Sequence, residues 1–302
     1  MRAASIGECM IELSEMPDGR FSRAYGGDTL NTAIYMARLG VEVDYVTALG
    51  DDQWSDEMLA GWRNEGVGTE RVVRLPGRVP GLYIIQTDRS GERRFHYWRD
   101  SAPARDLFNV GETPAVVEAL SRYELIFFSG ITLSLYGEAG RAAFFAAIER
   151  ARARGASIAF DTNFRPRGWP DRGIAKAAFQ EALERSDIVL ASTEDLTLLF
   201  GAGSDLTRMT RPATELVIKQ VEPACRVMAA DGTDQMVAAK PVARVVDTTA
   251  AGDSFAAAYL ASRFGGAGPV AAAEAGHALA GVVVGYPGAI IPRSAMPAAL
   301  CS

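Results

Sequence analysis

Asp247-Thr248-Thr249-Ala250-Ala251-Gly252-Asp253-Ser254 places an acid beside three residues with little or no side chain, ahead of the apolar run Phe255 to Ala261. The preceding Ala243-Arg244-Val245-Val246 predicts a strand, and the run beyond predicts a long Ala-rich helix. A chain that breaks into small residues and then starts a helix aims unpaired N–H groups, and the positive end of the helix dipole, at one point. That is an anion site. Ala250, Ala251 and Gly252 leave room for a phosphate there. Asp253 would repel such a phosphate unless it has a task of its own, and taking a proton from an attacking hydroxyl is such a task. The same residues also suit a plain helix cap followed by a turn, so both readings stand on this stretch alone.

A second small-residue stretch, Tyr25-Gly26-Gly27-Asp28-Thr29-Leu30-Asn31, leads into a helix predicted over Thr32 to Leu39 and capped by Asp28 or Thr29. Glycines let backbone approach a ligand closely, and Asn31 falls in the first turn facing whatever the glycines face. A capped glycine turn explains everything here except Asn31. Gly81 to Asp88 and Glu92 to Arg99 predict a β-hairpin closed by Arg89-Ser90-Gly91. Its register pairs Tyr83 with Tyr97 and, with the strand period of two, puts Tyr83, Tyr97 and Arg99 on one face. Two phenols and a guanidinium suit a hydroxylated anionic small molecule, although an edge hairpin with ordinary aromatics would look the same. Arg165 follows the strand Ser157 to Phe160, where open α/β sheets bind ligands.

The elements that must position these groups alternate. Strands are predicted at Ala3 to Ile6, Met10 to Leu13, Val43 to Ala48, Glu124 to Phe128, Ser157 to Phe160, Asp187 to Leu190, Glu215 to Lys219 and Arg226 to Ala229. Helices are predicted at Trp54 to Asn64, Arg141 to Arg154 and Val270 to about Val284. That rhythm predicts an α/β chain with a mostly parallel sheet covered on both faces. The stretch Val72 to Trp98 interrupts it, so one domain over residues 1–302 is expected, with a small β lid from about 9–24 and 72–100.

With 48% hydrophobic and 23% charged residues, the chain can bury a large core. A net charge of −6 offers no general attraction to nucleic acid or anionic membrane. Cys9, Cys225 and Cys301 lack metal-ligand spacing and fit reduced thiols; with a start that reads as a strand and not a leader, a cytoplasmic location is expected. There is no G-x-x-x-x-G-K-[ST] loop and no G-x-G-x-x-G after the first strand. Any nucleotide phosphate must therefore be held elsewhere, and the stretch before Asp253 is the place for it. His277 is isolated and reads as a packed or capping residue.

Asp247 to Asp253 together with Gly26 to Asn31 resembles the two signatures of the ribokinase-like (PfkB) sugar kinases, with Ala250 where the pattern D-T-x-G-A-G-D has its first glycine. Gly7-Glu8-Cys9-Met10-Ile11-Glu12-Leu13-Ser14, Tyr45 to Gly50, Leu82-Tyr83, Gly91-Glu92-Arg93, Tyr97-Trp98-Arg99 and Gly288 to Arg293 are similar to the branch acting on 2-keto-3-deoxygluconate. The resemblance implies a ribokinase-like three-layer fold and an ATP-dependent kinase using Mg²⁺, with a monovalent cation as a further expectation. It implies a sugar-acid substrate phosphorylated at its terminal (6-) hydroxyl and a homo-oligomer, a dimer or higher. Other sugars of the family (fructose, ribose, the galactonate epimer) and a nonenzymatic sugar sensor are the alternatives. By position, Asp253 matches the catalytic base and Ala250, Ala251 and Gly252 the anion hole. Gly27, Asn31, Tyr83, Tyr97, Arg99 and Arg165 match sugar-acid contacts. Ser192, Lys219, Gly232, Thr248 and His277 match the nucleotide side, with Asp195 as a metal ligand because Ser192-x-x-Asp195 stands where the family has N-x-x-E. The family's K-x-G-x-x-G loop is replaced by Lys219-Gln220-Val221-Glu222-Pro223-Ala224-Cys225.

Overall fold

The computed structural model describes residues 2–16, 18–87 and 93–300. Thirteen strands run in chain order as β1 (Arg2–Ile6), β2 (Met10–Glu15), β3 (Phe21–Gly26), β4 (Glu42–Gly50), β5 (Val72–Leu75), β6 (Leu82–Thr87), β7 (Arg93–Trp98), β8 (Leu125–Ser129), β9 (Ser157–Asp161), β10 (Ile188–Ser192), β11 (Glu215–Lys219), β12 (Ala224–Met228) and β13 (Asp234–Ala238). Nine of them form one sheet in the order β13-β12-β11-β10-β9-β8-β1-β4-β5, and the other four form a small sheet, β3-β2-β6-β7. Parallel pairing runs from β11 across to β5, and β12 and β13 complete the far edge antiparallel.

The strands leave β1 outward through β4 and β5, and the chain then crosses back to build β8, β9, β10 and β11 on the other side. The order reverses between β1 and β8, and clefts for ligands open beyond the carboxyl ends at such a reversal. Central strands buried on both faces read as continuous apolar runs, as Leu125-Ile126-Phe127-Phe128 does. Two cores follow from this. One face packs Phe128, Phe144, Ile148, Phe160 and Phe179, and the other packs Leu30, Tyr35, Tyr45, Trp62, Phe255 and Tyr259. None of the helices is long and apolar enough to cross a membrane among the described residues.

The hairpin register is as expected, with Tyr83 opposite Tyr97; its closing residues 88–92 lie outside the described residues. Three expectations are corrected. Val72–Leu75 belongs to the large sheet, parallel to β4, because it returns from the helix Gln53–Asn64 as an ordinary crossover. Ala243 to Val246 forms no strand. Its chain is anchored instead by the Val246 and Asp247 N–H groups, which both donate to the Val284 carbonyl at 2.7 and 3.2 Å. The first long helix starts at Asp28, with Gly27 as its N-cap and no side-chain cap, so neither Asp28 nor Thr29 caps it.

Candidate active site

The helix Ala251–Phe264 begins behind Ala250, which adopts the left-handed conformation (φ 60°, ψ 15°) and reverses the chain into the helix. No side chain caps this end. The Ala251 N–H turns back to the Thr248 carbonyl at 3.2 Å, so the anion donors are those of the following first-turn residues, Gly252 and Asp253. Asp253 is thus in the first turn and not the cap, which removes the simple capping explanation for it.

Groups from three further elements gather around Asp253, and one of them bonds its carboxyl. The Asn31 amide, from the first turn of Asp28–Arg38, donates to it at 2.8 Å. Thr32 Oγ1 donates to the Asp253 carbonyl at 3.3 Å, joining the two helices. Beyond β9, the Asn163 amide donates to Asp28 at 2.7 Å from a backbone with φ 23°. Lys219, at the end of β11, meets Asp161 at 3.0 Å. Burial pushes the Asp253 carboxyl up to about 8; Asp28 and Asp161 add to the rise, while Asn31 and Lys219 oppose it. A carboxyl near that value sits where a general base is effective at neutral pH.

An open cleft of roughly 1340 Å³ lies between the small sheet and the carboxyl ends of the large one, and Gly27, Asp28, Tyr97, Arg99 and Arg165 all line it. Arg105 and Arg167 line it as well and were not singled out from sequence. Nothing in their immediate sequence marks them, since Arg105 follows the hairpin in a 3-10 turn and Arg167 neighbours Arg165. Tyr97 is 46% exposed on the cleft side of the hairpin. Its ring lies 5.8 Å from that of Tyr83.

Tyr83 is placed differently from its strand partner. It is buried, does not line the cleft, and donates its hydroxyl to Glu12. That contact also explains Gly26, where a Cβ would stand 2.2 Å from the Tyr83 hydroxyl. At Gly27 a Cβ would stand 2.2 Å from the Glu8 carbonyl. Both glycines are thus demanded by the packing of the protein itself, and Gly27 additionally faces the cleft.

Arg99 forms an ion pair with Glu8, which is 3% exposed in the connection between the two sheets. Burial pushes the Glu8 carboxyl up, and Arg99 and Arg105 draw it back. Part of the Arg99 charge is therefore already answered by protein. Arg165 is exposed and donates to the adjacent Phe164 carbonyl at 3.3 Å.

The remaining candidates lie along the other half of the sheet. Ser192 caps the helix Thr193–Phe200 by accepting from the Asp195 N–H at 3.1 Å. Asp195 is buried and accepts from Thr162 Oγ1 at 2.8 Å. Among the described residues no three His, Cys, Asp or Glu side chains are grouped to hold a metal ion. Thr248 is exposed beside the helix start, and Gly232 (φ 92°) turns the chain from β12 to β13. His277 shares its Nε2 with the Val237 carbonyl at 3.0 Å and packs edge-on against Phe255, and burial lowers its pKa.

A mostly parallel sheet with a small second sheet, and an acid in the first turn of a helix whose start has no side-chain cap, are the arrangement a hydroxyl and an anion would need side by side. The pfkB family carbohydrate kinases match residues 2–296, and the chain belongs to that family. It is 42% identical over 305 residues to the 2-dehydro-3-deoxygluconokinase of Dickeya dadantii, covering 98% of each chain. The crystal structure of 2-dehydro-3-deoxygluconokinase from Thermotoga maritima superposes with a TM-score of 0.83 at 23% identity, covering 96% of each chain. That of fructokinase with bound ATP from Xylella fastidiosa gives 0.81 at 24% identity, covering 98% of this chain and 95% of that one. The ribokinase-like α/β fold expected from the sequence is the fold observed.

Proposed function

We propose that this protein is a 2-keto-3-deoxygluconate kinase, transferring the terminal phosphate of ATP to the 6-hydroxyl of the sugar acid. The carrying observation is the Asp253 carboxyl, raised to about 8 and held by Asn31 next to uncapped helix N–H groups. The near-full-length likeness to a 2-dehydro-3-deoxygluconokinase supports the substrate, and the ATP-bound fructokinase neighbour supports the donor. In this reading the sugar acid lies in the cleft under Tyr97, its carboxylate toward Arg165 and Arg167, with Arg99 shared between substrate and Glu8. Guanidinium groups grip a carboxylate through paired hydrogen bonds that a neutral hexose does not need. The far hydroxyl then reaches Asp253, which takes its proton as the Gly252 and Asp253 N–H groups bind the oxygens of the transferring phosphoryl group. Phosphoryl transfer depends on such positioning and charge stabilisation more than on covalent help. Because the described side chains form no metal cage, Mg²⁺ enters as the partner of the nucleotide phosphates. The small sheet acts as a lid, and pairing of its edge strand β3 or β7 with a second copy would give a dimer.

The test is coupled ADP release with Mg·ATP, comparing 2-keto-3-deoxygluconate, its galactonate epimer, fructose and ribose at matched concentrations. Turnover confined to the keto acids is the expected result. Turnover with a neutral sugar and not with the acids would discard the arginine-based selection, and silence with every sugar would discard the kinase.

A further inference from the structure

The ion pair between Lys219 and Asp161 crosses an intervening strand. Lys219 ends β11 and Asp161 ends β9, and β10 lies between them, with Ser192 opposite Lys219 and Leu190 opposite Asp161. The lysine side chain therefore leans over the carboxyl end of β10 to reach its partner at 3.0 Å. Both are well enclosed, with side chains 20% and 9% exposed. The second Asp161 oxygen accepts the Asn163 N–H at 3.2 Å, which fixes the carboxylate from its own loop. On the other side, Lys219 Nζ comes within 3.7 Å of the point where a Cβ on Gly252 would stand. The ammonium thus hangs directly over the first turn of Ala251–Phe264, beside the N–H groups assigned to the phosphoryl group.

A buried ion pair of this kind adds little net stability, because desolvating both charges offsets their attraction. Its geometry has a different consequence. A lysine on a long flexible stem must be tethered to place its charge at one spot, and the tether here is a carboxylate held by backbone.

We propose that Asp161 is a positioning residue, which holds the Lys219 ammonium over the helix start so that it meets the transferring phosphoryl group. This rests on the kinase reading above. The charged groups around Asp253 are Asp28 at the start of the helix Asp28–Arg38, Asp161 at the end of β9 and Lys219 at the end of β11, with Tyr35 on the helix Asp28–Arg38 feeling the same carboxylate. Asp161 therefore pushes Asp253 in the direction opposite to Lys219, a feature that a purely structural pair would not transmit to catalysis.

The experiment combines Asp161→Asn, Asp161→Glu, Lys219→Met and the double variant Asp161→Asn/Lys219→Met. Calorimetric binding of ADP and of a non-hydrolysable β,γ-imido ATP analogue is measured first. The analogue carries the terminal phosphoryl group and ADP lacks it. Asp161→Asn and Lys219→Met are each expected to weaken the analogue by about 10-fold, as for loss of one charge-assisted hydrogen bond, and to leave ADP within about 2-fold. The double variant should be no weaker than the worse single one, and Asp161→Glu should recover part of the loss. In steady-state work with the sugar acid, kcat should fall more than the KM for ATP rises. The acid limb of kcat/KM should move to lower pH in Asp161→Asn and to higher pH in Lys219→Met. Additive losses, equal losses for both nucleotides, or an unmoved acid limb would overturn the proposal. A wild type that binds the analogue but phosphorylates no sugar would refute the substrate reading and leave the binding arm to decide this inference. A wild type that binds neither nucleotide would refute both.

Discussion

Replacing Asp253 with asparagine is expected to stabilise the fold while removing most of its turnover. Burial, reinforced by Asp28, pushes this carboxyl up to about 8 in the folded protein, whereas in an unfolded chain it ionises at about 3.9. Between those values the folded state holds a proton that the unfolded state has released. The fold therefore loses stability as pH rises through that window, and the penalty is complete once pH exceeds the folded value. Asparagine has the same shape, can still accept from the Asn31 amide, and carries no charge to desolvate. It should recover on the order of 5 kcal/mol at pH 8 and almost none near pH 3, where the carboxyl is largely neutral in both states. Thermal unfolding of both proteins at several pH values from 5 to 8 reads this out as a Tm difference of a few degrees that widens with pH. Coupled turnover at pH 8 should show kcat lower by about 10²–10⁴-fold, the usual share of a general base. A variant that is less stable at every pH, or one with near-normal turnover, would refute the reasoning.

Other consequences follow from the same geometry. With Asp253 near 8, kcat/KM for the sugar acid should climb about tenfold per pH unit below that value and level off above it; a flat profile between about pH 6 and 9 would take Asp253 out of the base role. Arg165→Ala should raise KM for the keto acid by about 10–100-fold, the worth of a hydrogen-bonded charge pair, with KM for ATP nearly unchanged. Equal effects on both substrates would argue against carboxylate recognition by Arg165. Ala250 sits at φ 60°, a conformation that costs a residue with a Cβ about 1–2 kcal/mol. Ala250→Gly gives back part of this through a looser unfolded chain and should be more stable by about 0.5–1 kcal/mol, measured by urea denaturation, with kcat retained. A less stable variant would show that the Ala250 methyl makes packing contacts that outweigh its strain.

The large sheet was legible because its strands are short apolar runs bounded by turn residues, and the alternation with helices fixes their direction. The hairpin register was legible for a simpler reason: a strand period of two and a three-residue loop leave one pairing, Tyr83 with Tyr97. The helix Arg172–Arg185 is hard to read because its buried face, Ala175, Ala178, Phe179, Ala182 and Leu183, is made mostly of alanines and gives only a faint apolar stripe. The edge strand β13 was missed because its residues are mostly exposed and show no buried run. Ala243 to Val246 has strand composition but ends up on the surface, its backbone bound to Val284 and not to a sheet. At the site, Asp253 and Asn31 could be read from motif and spacing. The partners of Arg99 and Lys219 could not, since Glu8 and Asp161 are distant in sequence and meet them only once the strands are assembled. Gly26 looks in sequence like room for a ligand, and in the structure it makes room for the Tyr83 hydroxyl.

The proposed reaction has Asp253 deliver the terminal hydroxyl of a sugar acid to the phosphoryl group of ATP. Its most direct test is the structure of the product formed by the wild type from Mg·ATP and 2-keto-3-deoxygluconate. Phosphorus–proton correlation NMR should show one phosphomonoester coupled to the two methylene protons at carbon 6, formed in step with ADP and slower by about 10²–10⁴-fold with Asp253→Asn. Phosphate on a secondary hydroxyl, or ADP released with only inorganic phosphate, would contradict it.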